Sequence, residues 1–141
     1  WIMGWPKETL KNLKNTVAFI KWQDVYYSIY SKTSAKQYKN AINSVNTNMF
    51  TATAYPGTEL FLHPVVRKEL NKKFHIRFNP RTHQPIYDEN MHYYILQLDD
   101  ATKVLYDKSG RPLNFSNMPI DIFLQAKEYI ENGKIAKILN M

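Results

Sequence analysis

The stretch Phe74-His75-Ile76-Arg77-Phe78-Asn79 alternates apolar and polar residues, and it is the clearest strand signal in the sequence. Successive side chains of a β-strand point to opposite faces, so the three apolar side chains would share one face. His75 and Arg77 would share the other face, about 7 Å apart along the strand. We therefore expect a half-buried strand of an antiparallel sheet at this position.

Further segments on both sides of this stretch carry strand patterns, with turn signals between them. The other predicted strands cover residues 50–55, 58–62, 91–98, 103–106 and 112–115, with 134–139 as a weaker terminal strand. The run 91–98 has a continuous apolar centre, which predicts burial on both faces. Segment 103–115 would form a hairpin around Asp107-Lys108-Ser109-Gly110.

Helical periodicity appears at both ends of the chain. An apolar stripe with spacings of three and four follows Pro6, namely Leu10, Leu13, Val17 and Ile20. A capping-box pattern at Ser34 predicts a second helix to residue 48, and Pro64 opens a short one. A C-terminal helix runs from Pro119 to Asn132-Gly133. The expected fold class is α+β: two N-terminal helices, an antiparallel β-sheet of about four to five strands, and a C-terminal helix packed on that sheet.

The composition narrows the class of protein. A chain of 141 residues with 44% hydrophobic and 22% charged residues is typical of one globular domain, here residues 1–141. The absence of cysteine excludes disulfides, thiolate nucleophiles and cysteine-type zinc sites. No apolar run reaches the roughly 18–20 residues of a membrane helix, and no signal-peptide pattern opens the chain. We expect a soluble protein whose compartment the sequence leaves unassigned.

The positive charge behind the net +7 is concentrated in the first 85 residues, which contain thirteen lysines and arginines but only four acidic residues. Such an asymmetry favours polyanionic partners, with RNA or DNA first and an acidic protein second. A solvated basic face that keeps the protein soluble is the plain alternative. A membrane partner is the least favoured. Trp1, Ile2 and Trp5 lie near Lys7 and Lys11, but the helix after Pro6 needs its apolar stripe for the core.

The densest cationic cluster in the sequence supplies the candidate site. The predicted substrate-binding residues are Arg67, Lys72, Lys73, Arg77 and Arg81. Guanidinium groups bind phosphate in bidentate fashion, and a neutral imidazole beside them can move a proton near neutral pH. We predict His75 as the catalytic base or acid, with His83 or His92 as its partner. The four histidines lack a metal-ligand spacing, so we expect neither a metal nor another cofactor.

These observations lead to two functional hypotheses. The first is a basic, nucleic-acid-directed domain, in its sharp form a small metal-independent endoribonuclease acting on RNA phosphodiesters. Its expected architecture resembles that of C-terminal toxin nuclease domains, and this resemblance implies an origin at the end of a longer chain. The second is a noncatalytic interaction module of a larger viral or bacterial assembly that binds an acidic protein partner.

Overall fold

The computed structural model describes residues 1–31, 48–100 and 103–141, and within these ranges the chain is mainly helical. The helices are α1 (Leu10–Ser31), α2 (Glu59–Leu62), α3 (Pro64–Phe74), α4 (Glu89–Ile95) and α5 (Ile120–Glu131), followed by a 3-10 helix (Ile135–Asn140). Two short strands, β1 (Ile2–Met3) and β2 (Phe50–Thr51), pair in parallel with Ile2 opposite Phe50.

The predicted antiparallel sheet of four to five strands is wrong. The described ranges contain one two-stranded parallel sheet and two isolated antiparallel bridges, Phe78–Pro85 and Tyr106–Pro112. Segment 74–78 misled the prediction because Phe74 is the last residue of α3, and His75 ends that helix in the left-handed conformation. Phe74 belongs to a helical stripe, since Val66, Leu70 and Phe74 recur every fourth residue and are all buried.

The predicted strand 91–98 is also wrong, because this segment forms α4. The Asp88 carboxylate caps the helix by accepting hydrogen bonds from the Asn90 and Met91 N–H groups, at 3.0 and 3.1 Å. Met91 and Tyr94, three residues apart, are fully buried. A short apolar run does not distinguish a strand from a buried helix by periodicity alone, and here the N-cap at Asp88 indicates the helix.

Three smaller strand predictions are wrong, two of them wholly and one in part. Segment 58–62 contains α2, segment 134–139 is almost entirely the 3-10 helix, and only residues 50–51 of the predicted strand 50–55 form a strand, β2. The turn within 103–115 is present, but its arms meet only at the Tyr106–Pro112 bridge. Two of these short segments, 58–62 and 134–139, have therefore formed one or two helical turns, whereas residues 50–51 form β2.

The helices predicted at the two ends of the chain are present. Leu13, Val17 and Ile20 are buried along α1, which continues to Ser31. The C-terminal helix α5 is followed by Gly133 at φ 66°, as the cap pattern predicts. It packs against the 3-10 helix and not on an antiparallel sheet. The predicted second helix, 34–48, lies outside the described residues except for position 48.

Among the described residues, the buried apolar side chains form two clusters. The first is built from α2, α3, α4 and the segment around the 107–110 turn: Ala54, Phe61, Val66, Leu70, Phe74, Ile76, Met91, Tyr94, Leu105, Leu113 and Phe115. The second joins the N-terminal strand, α1, α5 and the 3-10 helix: Met3, Leu13, Val17, Ile20, Met49, Met118, Phe123, Ala126 and Ile138. Within residues 1–31, 48–100 and 103–141, no helix is both long enough and apolar enough to cross a membrane.

Candidate functional site

A small pocket of about 110 Å³ opens where the end of α3, the helix α4 and the turn at residues 107–110 meet. The residues that line this His75 pocket are Lys73, Phe74, His75, Asn90, Tyr93, Lys108 and Ser109. The ring of Phe74 packs edge-on against Tyr94, with their centroids 5.2 Å apart, and so joins α3 to α4 beneath the pocket. The first cluster of the core therefore sets the geometry of this site.

The backbone at the end of α3 places His75 in the pocket. His75 adopts φ 56° and ψ 27°, and its N–H donates to the Asn71 carbonyl at 3.0 Å. The Ile76 N–H reaches back to the Leu70 carbonyl at 3.4 Å, which completes a left-handed helix cap. Glycine is the usual residue at such a position, because a Cβ there is sterically disfavoured. An exposed histidine held in this conformation is an outlier that suggests a functional hypothesis.

The cap of α4 positions the second wall of the pocket. Hydrogen bonds to Asp88, first from the Met91 N–H and also from the Arg77 side chain, lower the pKa of this carboxyl below its usual range. Asp88 is therefore ionised at neutral pH, where it holds the start of α4 and pairs with Arg77 at 3.2 Å. Asn90 and Tyr93 are three residues apart on α4, so both face the pocket.

The 107–110 turn forms the third wall, and the buried side chain of Asp107 organises it. The Asp107 carboxylate accepts hydrogen bonds from the Ser109 N–H at 2.9 Å, the Arg111 N–H at 2.8 Å and the Arg111 Nε at 2.7 Å. Burial alone would raise the pKa of Asp107, but these hydrogen bonds together lower it. The turn thereby carries Lys108 to a position where its Nζ lies 5.2 Å from the ring centroid of Tyr93.

The two lysines of the pocket differ in their partners. Lys73 forms an ion pair with Glu69 at 3.5 Å and donates a hydrogen bond to the Pro112 carbonyl. Its charge is therefore partly neutralised, and it ties α3 to the segment after the turn. Lys108 forms no ion pair with any residue in the described parts of the chain, and it is exposed. Of the two pocket lysines, Lys108 is therefore the more accessible to an anionic ligand.

Of the three predicted catalytic histidines, only His75 lines the pocket. His83 lies in the exposed 79–84 loop with φ 59°. His92 is exposed on α4, one position before Tyr93 and therefore about 100° around the helix from it. The structure does not bring either histidine to the pocket that His75 lines.

The predicted substrate-binding residues are also dispersed. Lys73 lines the pocket and Lys72 is exposed one position before it, whereas the Arg67 Nε donates to the Leu62 carbonyl at 3.0 Å. Arg77 pairs with Asp88, and Arg81 lies exposed in the 79–84 loop. The expectation that His75 and Arg77 share a strand face is wrong, because the left-handed cap at His75 ends a helix there.

Sequence reasoning missed four residues of the pocket: Asn90, Tyr93, Lys108 and Ser109. The N-cap at Asp88 could have identified α4 and hence the common face of Asn90 and Tyr93. The turn signal identified the position of Lys108, but nothing local indicates that this turn faces His75. Among the described residues, no group of three histidines, aspartates or glutamates is placed to hold a metal ion.

Comparison of the chain with protein-family models, with curated proteins and with solved structures gave no match.

Proposed function

We propose that this chain is a nucleic-acid-directed domain that binds RNA at the His75 pocket and cleaves its backbone without a metal. The observation that carries the proposal is the convergence of His75, Lys73 and Lys108 on one pocket. Ammonium groups bind phosphate as point charges, and an imidazole supplies a proton acceptor that works near neutral pH. The Ser109 hydroxyl and the Asn90 amide add neutral hydrogen-bond donors.

The chemistry that fits these groups is transesterification within RNA. His75 takes the proton of a ribose 2′-hydroxyl, and the 2′ oxygen attacks the adjacent phosphorus. The bond from phosphorus to the 5′ oxygen breaks, and a 2′,3′-cyclic phosphate forms. Lys108 donates a proton to the departing 5′ oxygen, while Lys73 and Lys108 stabilise the charge that develops on the phosphate. No oxidant, metal or further reactant enters the balance.

Cations beside the pocket would contact the phosphates that flank the cleaved bond. Lys68 and Lys72 are exposed and one helical turn apart on α3, and Lys72 is the immediate neighbour of Lys73. For single-stranded RNA, the logarithm of the binding constant falls linearly with the logarithm of the salt concentration. Each phosphate that such a lysine neutralises makes this slope steeper by about 0.7. The net charge of +7 also favours association with the negatively charged RNA backbone.

The test is cleavage of a fluorescent single-stranded RNA in the presence of EDTA, with binding followed in parallel by fluorescence anisotropy. We expect His75→Asn to lower the cleavage rate by about 10²–10⁴-fold while binding stays close to that of the wild type. His83→Asn is the matched control, since His83 is also exposed with a positive φ but lies outside the pocket. Asparagine tolerates the left-handed conformation, so both variants should fold.

A second pair of variants tests the role of the pocket cation. Lys108→Gln should weaken RNA binding and reduce its salt dependence, whereas Lys134→Gln, an exposed lysine after α5, should change neither. Equal cleavage by wild type and His75→Asn would refute the catalytic part of the proposal. If the wild type neither binds nor cleaves RNA, the alternative prediction of an acidic protein partner is favoured.

A further inference from the structure

The outer face of α1 carries large apolar side chains that are exposed. In the second cluster of the core, Leu13, Val17 and Ile20 are buried on one face of this helix. Phe19, Trp22 and Val25 lie elsewhere on its circumference, with 46%, 56% and 55% of their surfaces exposed. Because α1 advances about 100° per residue, Trp22 lies roughly opposite Leu13. The stripe that covers the core and the exposed stripe are therefore different faces of one helix.

Aromatic rings follow one another along this outer face. Trp1, which is 42% exposed, meets Phe19 edge-on with the centroids 5.6 Å apart. Phe19 stacks on Trp22 at 5.8 Å, and Trp22 stacks on Tyr26 at 5.4 Å. We call Trp1, Phe19, Trp22, Val25 and Tyr26 the aromatic ridge. Its rings already stack on each other, so they offer a nucleic-acid base less free ring face than an open stacking platform would.

Charge is distributed unevenly around the ridge. Lys11 lies three turns before Trp22 on nearly the same line of the helix, and Lys21 flanks it; both are exposed. The only acidic residue of α1 is Asp24, which lies about 200° around the helix from Trp22. Lys7 adds a further exposed cation just before the helix begins. The ridge therefore combines aromatic side chains with positive charge and excludes the one acid of its helix.

We propose that the aromatic ridge docks onto the surface of an anionic lipid bilayer. Tryptophan rings settle at the boundary between headgroups and acyl chains, and flanking lysines gain from anionic headgroups. The convex outer face of a helix of 22 residues, about 33 Å long, lies on a bilayer without needing a complementary cleft. The low ranking of a membrane partner in the sequence analysis took α1 to have one apolar stripe, but α1 has two, one buried and one exposed.

Vesicle flotation of the whole chain tests this proposal. We expect the wild type to float with vesicles of phosphatidylcholine and phosphatidylserine, and to stay at the bottom with phosphatidylcholine alone. Lys11→Gln should lower the partition coefficient on the anionic vesicles about five-fold, and added salt should do the same. No flotation of the wild type with anionic vesicles overturns the proposal.

A paired set of variants assigns the binding to the ridge. Phe19→Ser with Trp22→Ser should lower partitioning more than about ten-fold, because both side chains would insert into the interface. Ile86→Ser with Tyr87→Ser is the matched control, since these neighbours are 41% and 70% exposed in another part of the chain. Thermal unfolding checks that both double variants fold, and RNA cleavage should be unchanged in the ridge variant.

Other occupants of the ridge give different results. Flotation that the ridge variant and the control variant retain equally overturns the proposal. So does a wild-type protein that fails to float but forms a dimer that the ridge variant abolishes, measured by light scattering. Loss of RNA binding in the ridge variant, with no flotation of the wild type, would instead assign the surface to nucleic acid.

Discussion

Replacing His75 with glycine should separate the stability of the fold from its activity. His75 has φ 56°, a left-handed conformation that costs an ordinary L-residue about 1–2 kcal/mol. Glycine removes this cost, but its greater conformational entropy stabilises the unfolded chain by about 0.5–1 kcal/mol and offsets part of the gain. The backbone hydrogen bonds from His75 and Ile76 to the end of α3 are unaffected. The net expectation is a gain in the free energy of unfolding of about 0.5–1 kcal/mol.

That gain is measurable. With about 2.1 cal/mol/K of unfolding entropy per residue, a chain of 141 residues gains roughly 2–3 °C in Tm. Urea unfolding followed by circular dichroism gives the same quantity as a shifted midpoint at constant slope. The imidazole is lost, so metal-independent RNA cleavage should fall by about 10²–10⁴-fold in the same variant. A variant that is more stable and less active is the expected result.

His83→Gly is the control, because His83 has φ 59° and is exposed but lies outside the pocket. It should gain a similar amount of stability and lose no cleavage. A loss of stability in His75→Gly would show that the His75 side chain makes stabilising contacts that outweigh the relief of the backbone. Equal activity of the two variants would refute the role of His75.

Three further predictions concern the framework of the site. Tyr94→Phe should lower the free energy of unfolding by about 1–3 kcal/mol, because the buried Tyr94 hydroxyl donates to the Ala54 carbonyl at 2.6 Å. The control is Tyr87→Phe, at an exposed ring, which should change the free energy of unfolding little; urea titrations measure both. Gly4→Ala should destabilise the folded protein more than Gly110→Ala. Both glycines have a positive φ, but only at Gly4 would a Cβ lie 3.0 Å from the Phe123 ring. The melting temperatures of the two variants test this difference. The lowered pKa of Asp107 stabilises the folded state above the unfolded pKa of about 3.9, and this contribution is lost as the pH falls through the folded pKa. Asp107→Asn should therefore be less stable at neutral pH and show a weaker decline below about pH 4, measured as urea midpoints against pH. If the urea midpoint of Asp107→Asn fell below about pH 4 as steeply as that of the wild type, the role given to Asp107 would be contradicted.

Local signals in the sequence were sufficient for the helices at the two ends. Leu13, Val17 and Ile20 form a buried stripe over about two turns of α1, and Gly133 supplies the left-handed residue that follows α5. The cluster of basic residues and histidines in residues 67–81 also appears in the sequence, and two of its members, Lys73 and His75, line the pocket. These features depend on neighbours within a few residues, which is why a single sequence reveals them.

The middle of the chain was mispredicted because its segments are short. Alternation at Phe74, Ile76 and Phe78 fits a strand, yet Phe74 completes a helical stripe with Leu70, and burial of that stripe decided the outcome. Tyrosine and isoleucine in α4 favour strands in isolation, but the Asp88 cap and the packing of Tyr94 against Phe74 outweigh that preference.

By itself, the sequence determined the composition, the charge asymmetry, the absence of thiol chemistry and the helices with long, regular periodicity. Only the tertiary structure decided that Lys73, Asn90 and Lys108, far apart in the chain, line one pocket, and that α1 exposes a second apolar face. Periodicity reports the residues that share a face of one element, which is a local property. The element that each face meets depends on the packing of side chains distant in sequence, such as Phe74 against Tyr94.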